Sequence, residues 1–387
     1  MTASLDIERL LSKRVRDIET SGIRRAWALA QTCKEPINLS IGQPDFPVHD
    51  SLKKAAIDAI LADSNGYTKT AGEDVLLDSI HTRLRNQLGW KFDASSKHAA
   101  IATSGTAGAL TLAFLAILED GDEVIIPDPY FVIYPTLARI AEAKPVLCDT
   151  YPDFRMTAER IKRCITNRTK AVLLNSPANP TGVVLTKEEV QDIASLCKER
   201  GILLITDEIY DEFVYPPTTF ASPAETNDDV LVIRGYGKTY GCTGWRMGYA
   251  AGSKFLIDEI SKLQQQTFVC ASSPMQHAMA GAYEIDLTEQ IERFQKRRDM
   301  VVEKLEEVTD LVVPEGAFYA FVKVPEHLQM TGMEFISKAI EHNVLAIQGS
   351  VFSARDTHFR ISYAVDEADL EKGLSILHTL LQSSEPN

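Results

Sequence analysis

The sequence predicts an α/β fold: a large domain built on a mostly parallel sheet between helices, followed by a smaller α+β domain. Three observations predict it. From about residue 98, short Val/Ile-rich runs alternate with helical segments of ten or more residues. Those runs are apolar on both faces, the pattern of a parallel sheet covered on both sides. After about residue 282 the texture changes to one long charged helix and alternating strands.

The elements follow in order. Residues 1–40 open with helix-like periodicity, and Gly42, Pro44 and Pro47 then break any regular element. SLKKAAIDAILAD (51–63) reads as a helix. AAIAT (99–103) is a strand and AGALTLAFLAIL (107–118) a helix. EVIIP (123–127) is a strand, YPTLARIAEA (134–143) a helix and AVLLN (171–175) a strand. TKEEVQDIASLCKERG (186–201) is a helix, with Thr186 and Glu189 at capping-box spacing and Gly201 as the stop. ILLIT (202–206) and VLVIR (230–234) are strands. In the smaller domain, 289–308 is a helix and FYAFVKV (318–324) and FRISYA (359–364) are strands. The expected boundaries are 48–281 for the large domain, and 1–47 with 282–387 for the small domain and its N-terminal arm.

The chain has 387 residues, 45% hydrophobic and 24% charged, which suits a globular protein rather than a disordered one. Its formal net charge of -14 disfavours nucleic acid as a partner. Six scattered cysteines form no CxxC pair, so neither a metal site nor a disulfide framework is expected. The charged N-terminus lacks the apolar core of a secretory signal, and no apolar run is long enough to span a bilayer. A soluble, cytoplasmic protein is the expectation, with no membrane or metal partner.

In such a sheet, ligands bind beyond the carboxyl ends of the strands. SGTAG (104–108) follows one strand and opens a helix, a place suited to a phosphate. SPANPTG (176–182) fixes a turn around Asn179. DEIYDEF (207–213) puts Asp207 at the end of an apolar run, where an unpaired carboxylate is costly, with Tyr210 placed to share the same side of a helical turn. GYGKTYGCTGWRMGY (235–249) isolates Lys238 and Arg246 among glycines. A lysine near apolar surface and other cations has a lowered pKa and can form a Schiff base, and arginine binds phosphate bidentately. Taken singly, each has an ordinary alternative: a polar turn, a helix N-cap at Asp207, a solvated lysine, a surface arginine, an exposed strand arginine at Arg360. Taken together on successive strand ends, they describe a site for pyridoxal 5′-phosphate. The GxGxxG dinucleotide fingerprint is absent.

INLSIGQPDFP, GYTKTAG, SGTAGAL, PDPYFVIY, NSPANPTG, DEIYDEF, GKTYGCTGWRMGY and FRISYA run in one order from residue 37 to 364. In these pieces the sequence resembles a class I/II aminotransferase of the fold-type I, pyridoxal-phosphate-dependent superfamily. The resemblance implies a seven-stranded sheet and the following roles. Lys238 bonds the cofactor aldehyde and shuttles protons. Asp207 pairs with the pyridine nitrogen. Tyr210 and Asn179 bond the ring oxygen, and Phe131, with Tyr130 as the alternative, stacks on the ring. Gly105, Thr106, Ala107 and Arg246 hold the phosphate. Tyr67 reaches the phosphate of a neighbouring subunit, which implies a homodimer with shared sites. Arg360 clamps the substrate carboxylate beside the backbone of Gly42.

Two positions depart from the family pattern. Gly237 stands where a serine often precedes the lysine, with Thr106 or Ser104 expected to replace its hydrogen bond. Ala107 stands where some aspartate-using relatives carry a lysine, which weakens an aspartate assignment. The expected activity is ping-pong transfer of an amino group from an L-amino acid to a 2-oxo acid, with aspartate, alanine and aromatic donors all open. A β-lyase or cyclase on the same fold is the alternative reaction, and a non-catalytic ligand-sensing module the remote one.

Overall fold

The computed structural model describes residues 6–16, 18, 22 and 35–383. Most of the helix-like stretch before residue 35 lies outside the described residues. Within it, Ile7–Leu10 forms a 3-10 turn and Lys13–Arg16 a single helical turn.

In chain order the strands are β1 (Ile37–Asn38), β2 (His98–Ser104), β3 (Glu123–Asp128), β4 (Lys144–Asp149), β5 (Thr169–Asn175), β6 (Leu203–Asp207), β7 (Val230–Gly235), β8 (Met247–Ser253), β9 (Tyr319–Lys323), β10 (Val344–Leu345), β11 (Ile347–Gln348) and β12 (His358–Ser362). Seven of them form one sheet in the order β2-β8-β7-β6-β5-β3-β4. β8 alone runs against its neighbours β2 and β7; the other pairings are parallel. Two of these strands went unread in the sequence. β4 carries Lys144 and Pro145 within a short apolar run, and β8 (MGYAAGS) is mostly glycine and alanine. Neither has the β-branched composition that marks a strand.

The apolar runs are buried on both faces, and successive residues go to opposite sides. Val172, Leu174, Leu204 and Val232 pack on one face. Ala171, Leu173, Ile205, Leu231 and Ile233 pack on the other, with the Gly105–Ile117 and Lys254–Thr267 helices. The Lys187–Arg200 helix has the capping box of Thr186 and Glu189 and ends at Gly201, whose φ of 64° only glycine adopts without cost. Among the described residues, no helix is long and apolar enough to cross a membrane.

A second core is aromatic. Phe213, Phe294, Phe318 and Tyr319 pack there with Phe359, Ile361, Leu370 and Leu377. Phe213 meets Phe294 edge-on, with ring centroids 5.3 Å apart. This core reaches back to the large sheet through residues 210–215. The N–H of Ala317 donates to Phe213 O at 2.8 Å, and that of Tyr215 to Glu315 O at 2.9 Å. The chain leaving β6 therefore runs from the sheet edge into the second core within a few residues.

That crossing is locked by a buried ion pair. Arg234 on β7 donates from Nε to Glu208 at 2.8 Å and lies 3.5 Å from Asp211. Ser222 also donates to Glu208, at 2.6 Å. A buried guanidinium needs carboxylates and fixed donors around it, and here they fix the turn that follows Asp207.

Candidate active site

Asn175, Asp207 and Gly235 end three neighbouring parallel strands, and Ser104 ends β2 at the same sheet edge. In register, Asn175 lies beside Asp207. Most of the residues singled out in the sequence lie along or facing this edge, Tyr67 excepted, with three additions that the sequence did not mark.

Asp207 is buried and, among the described residues, carries no bonded cation. Its Oδ2 accepts from Tyr134 Oη at 2.8 Å and its Oδ1 from the N–H of Ile209 at 3.2 Å. Burial pushes its carboxyl up to about 6, against the pull of those two donors. Asn175 Nδ2 donates to Asp207 O at 2.9 Å, and its Oδ1 accepts from the N–H of Asn179 at 2.9 Å. Tyr134 and Asn175 are two of the three additions. Asn175 was findable, since it ends a strand just as Asp207 does. Tyr134 lies one helical turn beyond Phe131 and packs edge-on against it at 5.6 Å.

The chain after Asp207 is a turn, so the helix N-cap that was its ordinary alternative does not form. Asp211 N–H closes on Glu208 O at 3.0 Å, and Phe213 N–H on Tyr210 O at 2.9 Å. This turn delivers Tyr210 into the site, where its hydroxyl lies 3.0 Å from that of Tyr319. Tyr319 is the third addition; within FYAFVKV nothing separates it from an ordinary strand aromatic.

Lys238 is half-buried, not a solvated surface lysine. Its amine donates to the carbonyl of Gly42 and lies 6.0 Å from the Phe318 ring centroid. Burial, then Arg360 and Arg246, pull it down to about 8. Such a lysine is half uncharged near pH 8, where an ordinary one is almost wholly charged.

The Gly105–Ile117 helix begins at the same edge. Ser104 makes no side-chain cap, so the first N–H groups, those of Gly105, Thr106 and Ala107, have no partner from that side chain. Gly105 has φ 66°, and a Cβ there would stand 2.7 Å from a guanidinium nitrogen of Arg246. Glycine meets both without strain and without displacing the Arg246 side chain. Arg246 is exposed, follows the short turn Thr243–Trp245 and donates to Thr243 O at 3.0 Å.

Arg360 is the largest departure from its ordinary alternative. It is 1% exposed on β12, not at the surface. Alternation along FRISYA holds, but both faces of the strand are covered. Nη1 donates to Asn179 Oδ1 at 3.0 Å and Nη2 to Ser40 O at 2.8 Å. Its Cζ lies 4.5 Å from the Tyr319 ring and 4.6 Å from the Phe352 ring. Nε has no partner. Among the described residues no carboxylate bonds to it, and burial lowers its pKa.

The other expected residues are placed as follows. Phe131 and Tyr130 are half-buried at the end of β3, with Tyr130 N–H donating to Phe352 O at 2.7 Å. Tyr67 is 89% exposed and so stands clear of its own chain's site. Among the described residues the cysteines are free and no cluster could hold a metal ion.

The Lys238 environment has a measurable consequence. A lysine in the unfolded chain titrates near 10.5, the folded one near 8. Between these values the unfolded chain binds more protons, so this group adds stability as pH rises through that window. Below about 8 its burial is a constant cost. Cofactor-free Lys238→Met should therefore be more stable than the parent at pH 7, with the advantage shrinking as pH rises from about 8 towards 10.5. Urea unfolding at a series of pH values reads this directly; an advantage independent of pH contradicts it.

Comparison with known proteins agrees with this geometry. The family model for aminotransferase class I and II matches residues 34–377. A probable aspartate aminotransferase of Methanocaldococcus jannaschii is 33% identical, covering 96% of this chain and 100% of the relative. A probable N-acetyl-LL-diaminopimelate aminotransferase of Bacillus subtilis is 35% identical, covering 96% and 95%. The solved aspartate aminotransferase of Thermus thermophilus with maleate superposes with a TM-score of 0.88 at 32% identity, covering 96% of this chain and 99% of that one. Motifs, sheet topology and whole-length likeness converge: the chain belongs to the class I and II aminotransferases, enzymes that depend on pyridoxal 5′-phosphate.

Proposed function

We propose that this enzyme moves the amino group of an L-α-amino acid to a 2-oxo acid by a ping-pong reaction centred on Lys238. The observation that carries the reading is Arg360: a buried guanidinium with no bonded carboxylate and an unpartnered Nε, close enough to Lys238 to depress its pKa. A buried, unpaired cation is costly. The α-carboxylate that every donor and acceptor of this reaction carries would relieve it.

The side chains present fit pyridoxal 5′-phosphate. The uncapped helix start at Gly105, Thr106 and Ala107, with Arg246 beside Gly105, suits the phosphate. Thr106 and Ser104, both half-buried there, stand in for the serine missing at Gly237. Asp207 lacks a cation, which a protonated pyridine nitrogen supplies, and that pairing would return the carboxyl to its charged form. Asn179 spends its amide oxygen on Arg360, which leaves its NH₂ to donate to the ring oxygen alongside Tyr210. Phe131 covers the ring. When bound, the cofactor supplies an aldehyde for Lys238 and an electron sink for charge at the substrate α-carbon.

The chain's own residues do the rest. Lys238 Nζ, once freed by the substrate amine, removes the α-proton and would return it two atoms along, across the substrate nitrogen. Asp207 holds fixed negative charge against the ring nitrogen. Arg360, with the Gly42 backbone beside it, fixes the carboxylate. Residues 48–281 form the cofactor-binding domain, and 1–47 with 282–387 the smaller one. The separate aromatic core supports this division, although residues 210–215 contribute to it.

We infer a homodimer with shared sites. Tyr67 is 89% exposed, and Ile57, Ile60 and Leu61 on the Asp50–Leu61 helix are exposed beside it in sequence. A second copy would cover these side chains and receive Tyr67 at its phosphate site. Free thiols suit a cytoplasmic setting. Relatives named for aspartate and for N-acetyl-LL-diaminopimelate leave aspartate, alanine and aromatic donors open here.

Two experiments test this reading. Arg360→Leu should raise KM for amino acid donors about a hundredfold, with the parent exchanging amino groups with 2-oxo acids. An unchanged KM, or ammonia and pyruvate as the main products, would contradict it. Sedimentation should give twice the chain mass, and Tyr67→Phe should weaken retention of pyridoxal phosphate about tenfold. A monomer with full retention would overturn the shared site.

A further inference from the structure

We propose that Tyr319 is a positioning residue, which ties the hydroxyl of Tyr210 to the guanidinium of Arg360 and so couples the cofactor side of the site to the carboxylate side. The inference rests on the roles given above to Tyr210 and Arg360.

Tyr319 opens β9 and is wholly buried. It pairs with Ser362 across β12, while Arg360 pairs with Phe321. The four side chains share one sheet face, with Tyr319 and Arg360 on the diagonal, within reach for an aromatic and a long side chain. Tyr319 makes contacts in three directions. Its hydroxyl lies 3.0 Å from that of Tyr210. Its ring lies 4.5 Å from Arg360 Cζ. Its hydroxyl also occupies the space beside Gly42, where a Cβ would come within 2.7 Å of it.

Each contact does something distinct. With Phe352 4.6 Å away on another side, the Arg360 plane is held by two rings, while Asn179 and Ser40 take Nη1 and Nη2. A guanidinium held in this way cannot swing without losing a ring contact or a hydrogen bond. Burial keeps the Tyr210 and Tyr319 hydroxyls protonated. Two neutral phenols share one hydrogen bond between them, and one proton remains to donate elsewhere. When Tyr319 donates to Tyr210, Tyr210 is the one left free to donate to the cofactor's ring oxygen, and its donor strength rises. Gly42 leaves room for this arrangement and offers its carbonyl to Lys238.

The two contacts separate by mutation. Tyr319→Phe keeps the ring and removes the hydroxyl. It should move the pH midpoint of the visible absorbance of the pyridoxal-phosphate-loaded enzyme upward by about half a unit, because the charged form loses hydrogen-bond support. Its KM for amino acid donors should stay within about twofold of the parent. Tyr319→Leu removes the ring as well and should raise that KM about tenfold, with a much smaller change in kcat. Phe335→Leu is the control: an equally buried aromatic that stacks on Phe359 at 4.8 Å in the second core. The proposal is overturned if Tyr319→Phe leaves the midpoint in place, or if Tyr319→Leu raises KM no more than Phe335→Leu. Arg360→Leu, measured alongside, keeps the failures apart. If it raises KM while the Tyr319 variants do nothing, only the Tyr319 proposal fails; if it too leaves KM unchanged, the reading of Arg360 fails first.

Discussion

Burial of Asp207 and Arg360, with the half-buried Lys238 within electrostatic reach of both, is the constraint on which the rest of the site depends. Each is held by neutral partners: Tyr134 and a backbone N–H for Asp207, a carbonyl for Lys238, an amide and a carbonyl for Arg360. None is bonded to an opposite charge among the described residues. The result is an acid raised to about 6 and an amine lowered to about 8, each moved towards its uncharged form. Groups left in this state favour a ligand that brings a cation to one end and an anion to the other.

The scaffold makes this imbalance tolerable by being rigid where the charges sit. Parallel strands apolar on both faces fix the heights of Asn175, Asp207 and Gly235 at one edge. The Arg234–Glu208 pair, itself fully buried, pins the turn that carries Tyr210 from that edge into the aromatic core. The antiparallel β8 brings Arg246 back beside the Gly105–Ile117 helix. The site thus joins two cores, and Tyr319 stands where they meet.

Much of this was legible in the sequence because strand-end residues follow from composition: an apolar run, then a polar or glycine residue, then a helix or turn. That logic found Asp207, Lys238 and the Gly105 turn. It did not find Tyr134 or Tyr319, whose roles depend on side-chain direction and on the register of β9 against β12. It read Arg360 as exposed when taken alone, because alternation shows two faces but not what covers each. The reversed direction of β8 was unreadable for a related reason: strand direction is set by pairing, and MGYAAGS contains no local mark of it. Family resemblance supplied the roles that geometry alone leaves open, including that of Tyr67, which stands clear of its own chain's site.

The most direct test of the account is borohydride reduction of the pyridoxal-phosphate-loaded protein, followed by peptide mapping. The account predicts one cofactor per chain, attached at Lys238, and none in Lys238→Ala. A reduced adduct at another lysine, or no adduct in the loaded parent, would contradict it.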